Sequence, residues 1–230
     1  MGSLLLVSLF SFYSFAGECD RVTSDIKEFD TNVLAMEAKF KTLPADFKDK
    51  AWVKAKISFM NEVDQYMRNT AMHLPFEKQY NEVEKGCFWK EMSPRWMKID
   101  KENTADLKGL MKIYGWFKFS EFGEVTSHDA WLLVQHADLD PDFQREVLAI
   151  LEKLYPLKEA LPKDYGYLYD RVTWFVDQKP QRYATQGQCK GPSSWQPFPT
   201  EDMENVDARR TSLGMPLFKE YKKILDGYCH

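Results

Sequence analysis

The reactive chemistry of this sequence sits in four short polar motifs: Gln135-His136-Ala137-Asp138, Asp170-Arg171-Val172, the run Pro180 to Gln186, and Arg209-Arg210 near Asp202 and Asp207. An imidazole is the side chain that exchanges protons near neutral pH. His136 therefore reads as a general acid or base, with Asp138 or Asp170 to orient it. The competing reading is a structural imidazole that caps the last turn of its helix, where the helix dipole favours a cation. Arg171 offers a planar fork that grips a carboxylate or phosphate with two parallel hydrogen bonds. Asp170 and Arg171 are neighbours, so on a helix they point about 100° apart and do not pair with each other. Each could instead lock onto a different helix. Gln135, seven residues after His128, shares a helix face with it. Two histidines with Asp129 or Asp138 could hold a metal, but the spacing is not the i, i+4 pair of zinc-binding helices. Neither a metal nor a cofactor is expected.

Gln181, Tyr183, Thr185 and Gln186 supply donors and acceptors without charge. In an extended loop, alternate residues face the same way, which puts Gln181, Tyr183 and Thr185 on one side. Such a wall suits a sugar, peptide or nucleoside. The plainer alternative is a loop whose amides tie helices together, as most side-chain hydrogen bonds do. Gln144 lies next to an apolar stripe and is expected half-buried, serving either the site or that loop. The sequence lacks G-x-S-x-G, a P-loop, G-x-G-x-x-G and H-E-x-x-H, so the common nucleophile, phosphate and zinc signatures are missing.

Together these motifs resemble a bacterial family of unknown function. Its members carry a Q-H-A-D helix end, a D-R-V helix, a P-Q-x-Y-G-T-Q loop and a closing R-R-x-x-L-G segment. The resemblance is specific from about Gly115 to Tyr221. It reaches back more weakly to Asp64-Gln65, Arg68, Asp100 and Asn103. Ala184 stands where the family usually has Gly, which predicts a loop backbone that avoids positive φ there. The resemblance implies no established activity, so the chemistry rests on the residues themselves.

The elements that must position these groups are helices. Ile26, Phe29, Val33, Met36 and Phe40 recur every three or four residues, predicting a helix from Val22 to about Phe40. Pro44 is expected to open a second helix, with the stripe Trp52, Ala55, Phe59, Val63 and Tyr66. Asp64, Gln65 and Arg68 sit beside that stripe rather than opposite it. His73-Leu74-Pro75 reads as an interruption, Gly86 and Ser93-Pro94 as cuts, and Asn103-Thr104 as a fresh start toward Gly115. Thr126-Ser127-His128-Asp129 resembles a capping box. Asp140-Pro141 is a strong start signal, and a further helix is expected from about Lys163 to Asp177. Lys179 to Pro199 reads as a short hairpin or ordered loop, and a last helix follows Gly214-Met215-Pro216. The fold class is all-α or mainly α.

Composition fits an ordinary globular chain, with 44% hydrophobic and 29% charged residues. The net charge of −4 and the absence of a basic stripe exclude a nucleic-acid binder. Leu4 to Phe15 is an apolar run ending in Ser14-Phe15-Ala16, a small-x-small cleavage pattern. Residues 1–16 therefore read as a signal peptide, too short for stable membrane insertion, and the destination as secreted or periplasmic. Residues 17–100 read as an N-terminal helical region and 101–230 as the motif-bearing domain packed on it. In an oxidising compartment the four cysteines form two disulfides. The proximity of chain termini favours Cys19 with Cys229 and Cys87 with Cys189.

Two functions follow. One is a site for a small polar ligand, hydrolase- or transferase-like, on a sugar, peptide or nucleotide-like substrate. It has His136, Asp138 and Asp170 as catalytic groups and Gln135, Arg171, Gln181, Tyr183, Gln186 and Arg209 as ligand contacts. The other is a non-catalytic extracellular interaction protein in which the same groups form a buried network that specifies packing. An open hollow lined by them favours the first, and mutual burial favours the second.

Overall fold

The computed structural model describes residues 17–43 and 45–229. The proposed signal segment 1–16 and Pro44 lie outside them. Three long helices come first: α1 (Asp20–Phe40), α2 (Lys50–Glu77) and α3 (Glu82–Tyr114). The predicted stripe of α1 buries Val22, Ile26 and Phe29. The second helix begins at Lys50 rather than Pro44, because the Asp49 side chain accepts from the Ala51 N–H and caps it. Asn81 and Glu84 form a reciprocal capping box at the start of α3.

The interruption expected at Pro75 falls just beyond it, between Glu77 and Glu82, whereas the expected breaks at Gly86, Pro94 and Asn103 do not occur. Pro75 lies in the last turn of α2, and Pro94 is accommodated inside a 33-residue α3. An interior proline costs a helix roughly 3 kcal/mol. Burial of Phe88 and Met92 before Pro94, and of Leu107 and Leu110 after it, outweighs that cost. Asn103 is buried mid-helix, and the Thr104 hydroxyl donates to the Asp100 carbonyl instead of capping a new helix. Gly115, at φ 67°, ends α3.

The shorter elements follow: α4 (Phe119–Phe122), α5 (Glu124–Gln135), α6 (Pro141–Leu154) and α7 (Pro162–Arg171). A π-helical turn, Val172–Val176, extends α7. Strands β1 (Gly187–Cys189) and β2 (Trp195–Pro197) then pair antiparallel, with Gln188 opposite Gln196. Helices α8 (Val206–Ser212) and α9 (Phe218–Asp226) close the chain. The fold is thus mainly α with one small hairpin. Helix α5 starts two residues before the expected Thr126 cap. Thr126 and Ser127 are buried, and the Ser127 hydroxyl accepts from the Trp116 indole at 3.1 Å.

Two cores share a spine. Val22, Ile26 and Phe29 pack with Met67, Ala71, Phe88 and Met92. The larger core joins Ile57 and Met60 of α2 and Leu107 and Leu110 of α3 to the inward faces of α5, α6 and α7. Helices α2 and α3 run through both. The cysteines pair as Cys19–Cys87 and Cys189–Cys229, not as terminal proximity suggested. Cys19 lies at the start of α1 against α3. Cys229 lies against the hairpin, where the Ser193 N–H bonds its carbonyl. Among the described residues, no helix is long and apolar enough to cross a membrane.

Candidate functional site

Helix periodicity sets Asp64 and Arg68 one turn apart on α2, and packing brings Asp100 of α3 and His136 at the end of α5 to the same place. The Asp64 side chain has no exposure, and that of His136 has 18%. His136 Nδ1 lies 2.9 Å from Asp64 Oδ2 and 2.8 Å from Arg68 Nε. It cannot donate to one and accept from the other with a single proton. The carboxylate is the stronger acceptor, so Nδ1 carries the proton and donates to Asp64. Arg68 Nε then donates to Asp64 Oδ1 at 3.1 Å, and Arg68 Nη2 to Asp100 Oδ1 at 2.6 Å. Among the described residues, the polar contacts of the ring all run through Nδ1, leaving the Nε2 lone pair for another partner.

The electrostatics keep this imidazole neutral. Burial lowers the His136 pKa, Asp64 pulls the other way, and Arg68 and Arg171 add to the lowering. Burial opposes the charge on Asp64, but the His136 hydrogen bond and the Arg68 charge hold its pKa below the usual carboxylate value. For Asp100, burial outweighs Arg68 and pushes the carboxyl up to about 6, with Asp64 adding to the rise.

Two residues further along the chain, Asp138 meets Arg171. The guanidinium donates through Nε to Oδ1 at 2.9 Å and through Nη2 to Oδ2, a bidentate pair. Its Nη1 points to Gln186 Oε1 at 3.5 Å. Gln144 is fully buried rather than half-buried. Its amide donates to the Val134 and Gln135 carbonyls and to Asp138 Oδ1, fixing the end of α5. A hollow of about 460 Å³ opens here, lined by Asp138, Pro141, Gln144, Arg171, Phe175 and Val176. The Arg171 guanidinium lies 5.5 Å from the Phe175 ring centre.

Other expected site residues point elsewhere. Asp170 has no exposure, and its carboxylate accepts from the backbone N–H groups of Arg182, Tyr183 and Thr185. Burial raises its pKa and those three N–H bonds oppose the rise. Gln181 is sealed and bridges Gln186 to the Phe198 carbonyl. Tyr183 is buried edge-on to Tyr169. Arg209 donates to the carbonyls of Arg182, Glu201 and Asp202. The loop therefore forms no open polar wall. Ala184 adopts φ 54°, against expectation, because wrapping three N–H groups around one carboxylate turns the backbone there. Gln135 is buried, and its Oε1 has no partner among the described residues.

The structure thus joins Asp138, Arg171 and Gln186, with His136 close enough for the Arg171 charge to act on it. Asp170, Tyr183 and Arg209 bond into the loop instead, and Gln181 meets the group only through the Gln186 backbone. The structure adds Asp64 and Arg68, signalled by the polar trio Asp64, Gln65 and Arg68 beside the apolar stripe of α2, and Asp100 of α3, which only the weaker reach of the family resemblance touched. A second His–Asp pair, His128 Nδ1 to Asp164 at 3.0 Å, stacks on Trp131 and lies apart from this group. Among the described residues, no group of three or more His, Cys, Asp or Glu side chains could hold a metal ion.

Residues 53–229 match the model of a family described as a family of unknown function, DUF6624. No curated protein matches the chain, and neither does any solved structure.

Proposed function

We propose that this chain, which belongs to the DUF6624 family of unknown function, binds a small polar ligand beside His136 and exchanges a proton with it, in the manner of a hydrolase or transferase. The observation that carries this reading is the imidazole fixed through Nδ1 by a buried carboxylate and set between two guanidinium groups. A carboxylate behind the ring selects the tautomer and the orientation, and a lowered pKa keeps Nε2 unprotonated, and so free to accept a proton, at neutral pH. His136 is the proton acceptor and Asp64 its positioning residue. Arg171 is the clamp for an anionic group. Asp138, whose side chain is 56% exposed, occupies the fork until a ligand carboxylate or phosphate displaces it toward solvent. Phe175 and Pro141 offer an apolar floor for the rest of the ligand. A peptide carboxylate or a nucleotide fits this description better than a neutral sugar. The two disulfides support a secreted or periplasmic setting.

A screen by thermal unfolding tests the reading, since a ligand of the native state raises the melting point. Dipeptides, nucleoside monophosphates and neutral disaccharides are compared on the wild type, His136→Gln and Arg171→Gln. An anionic probe is expected to stabilise the wild type, and Arg171→Gln should lose that shift. His136→Gln should remove the dependence of binding on pH on the acid side of neutrality, where the lowered pKa of the imidazole places its protonation. Both variants keeping every ligand-induced shift would sink the proposal. The second reading, a non-catalytic interaction protein, draws support from the inward bonding of Asp170, Gln181 and Arg209. It predicts no stabilising small molecule at all.

A further inference from the structure

A separate cleft opens between α1, α2 and α3 and shares no lining residue with the α6–α7 hollow. Its volume is about 340 Å³, within the range of small-molecule pockets. Its floor is apolar, made by Phe29, Val33, Phe40, Phe59, Met60 and Ile99. One polar side chain interrupts that floor. Asn103 is 9% exposed, lines the cleft, and has an amide Nδ2 without a hydrogen-bond partner among the described residues. A buried donor left unpaired costs about 1–3 kcal/mol, so its presence in an apolar floor calls for an acceptor from outside the chain.

The rim sets the charge of that acceptor. Four cations around the mouth each face a carboxylate. Arg95 is 2.8 Å from Asp30 and Lys41 is 2.9 Å from Glu37. Lys56 is 2.6 Å from Asp106 and Lys98 is 3.8 Å from Glu102. The four cations and four carboxylates balance, so the entrance carries no net charge to select an anionic or cationic head. We infer that this cleft is a second binding site, for an uncharged, mainly apolar molecule that presents one hydrogen-bond-accepting oxygen to Asn103. The wall supplied by α1 precedes the 53–229 segment matched by the family, so the site requires a helix that this match does not include. The Cys19–Cys87 bridge fastens that helix to α3.

The uncharged naphthyl ketone dye prodan has the required shape, size and carbonyl, and its emission shifts to the blue in apolar surroundings. Titrated into the intact protein, it should bind saturably at one site with blue-shifted emission. Asn103→Leu, which keeps the branched outline of the side chain and removes the donor, should weaken prodan about three- to tenfold, the worth of one hydrogen bond. An analogue with a propyl chain in place of the propionyl group should bind the wild type less tightly than prodan, by a similar factor. It should not distinguish Asn103→Leu from the wild type. Val33→Trp, which fills the cleft from the α1 side, should abolish both. Unsaturable binding, or binding unchanged by Val33→Trp, would overturn the site. Equal affinity of the wild type for prodan and the propyl analogue would overturn the role of Asn103. That comparison needs no variant, so it stands even if Asn103→Leu does not fold.

Discussion

Asp170→Asn separates a structural carboxylate from a catalytic one. In the wild type Oδ1 accepts from Arg182 N at 2.7 Å and Tyr183 N at 3.0 Å, while Oδ2 accepts from Thr185 N at 2.9 Å. Asparagine keeps one acceptor oxygen and turns an NH2 group toward the remaining N–H. If the oxygen stays with Arg182 and Tyr183, the Thr185 N–H is buried without a partner, at about 1–3 kcal/mol. The two retained bonds change from charge-assisted to neutral and weaken by about 1 kcal/mol each. Against this, the variant no longer buries a charge, and the raised pKa of Asp170 shows that burial has a cost. The net expectation is a loss of about 2–4 kcal/mol. At roughly 2–4 °C per kcal/mol for a chain of this size, the melting point falls by about 4–16 °C. Urea denaturation and thermal melts followed by circular dichroism measure it. Asp138→Asn serves as the exposed control and should stay within about 1 kcal/mol. An Asp170→Asn protein as stable as the wild type, but unable to respond to a ligand that stabilises the wild type, would refute the anchor role and return Asp170 to the reacting site.

Two further outcomes are expected. Asp100, pushed up to about 6 by burial, binds a proton in the folded state that it lacks when unfolded, where its pKa is about 3.9. Its contribution to stability is therefore present below about pH 4 and is lost as pH rises through 6, by up to about 3 kcal/mol. His136 and Asp64, both lowered, act in the opposite direction, so stability–pH profiles of Asp100→Asn and the wild type must be subtracted. Superimposable profiles would contradict the raised pKa. Peptide mapping without reductant should recover Cys19 joined to Cys87 and Cys189 joined to Cys229. Replacing the second pair by serine should cost about 2–4 kcal/mol, since it opens a loop with a sequence separation of 40. A fragment linking Cys19 to Cys229 would disprove that pairing.

The elements legible in the sequence were those whose signals are local. The stripe of α1, the Asp140-Pro141 start of α6 and the Gly115 stop of α3 each depend on a few neighbouring residues. The hairpin was legible as a loss of helical periodicity. The breakers failed where distant packing overrode them. Pro94 and Asn103 look like boundaries until α1, α2 and α5 bury the faces of α3 on either side of them. The disulfide pairing failed for a related reason. Cys87 and Cys189 are placed by the α1–α3 contact and by the hairpin, and neither can be seen from spacing.

The candidate site was legible in its residue types and misread in its pairings, and the geometry of one helix turn explains both. Asp170 and Arg171 were expected to diverge by about 100°, and they do: Asp170 turns inward to three backbone N–H groups, Arg171 outward to Asp138. That divergence removes Asp170, one of the two carboxylates expected to orient His136, and Arg171 engages the other, Asp138, so the imidazole is met by another acid. Asp64 is the one the fold supplies. A carboxylate with no exposure, one turn from an arginine, must satisfy its second oxygen within the protein. Here Arg68 takes Oδ1, and His136 shares Oδ2 with the Gln65 amide. The polar trio lying beside the apolar stripe of α2, instead of opposite it, was therefore already a statement about the site. An acid placed at the edge of a buried stripe faces the neighbouring helix, and the motif that ends α5 brings the imidazole to meet it beside the Gln65 amide and Arg68.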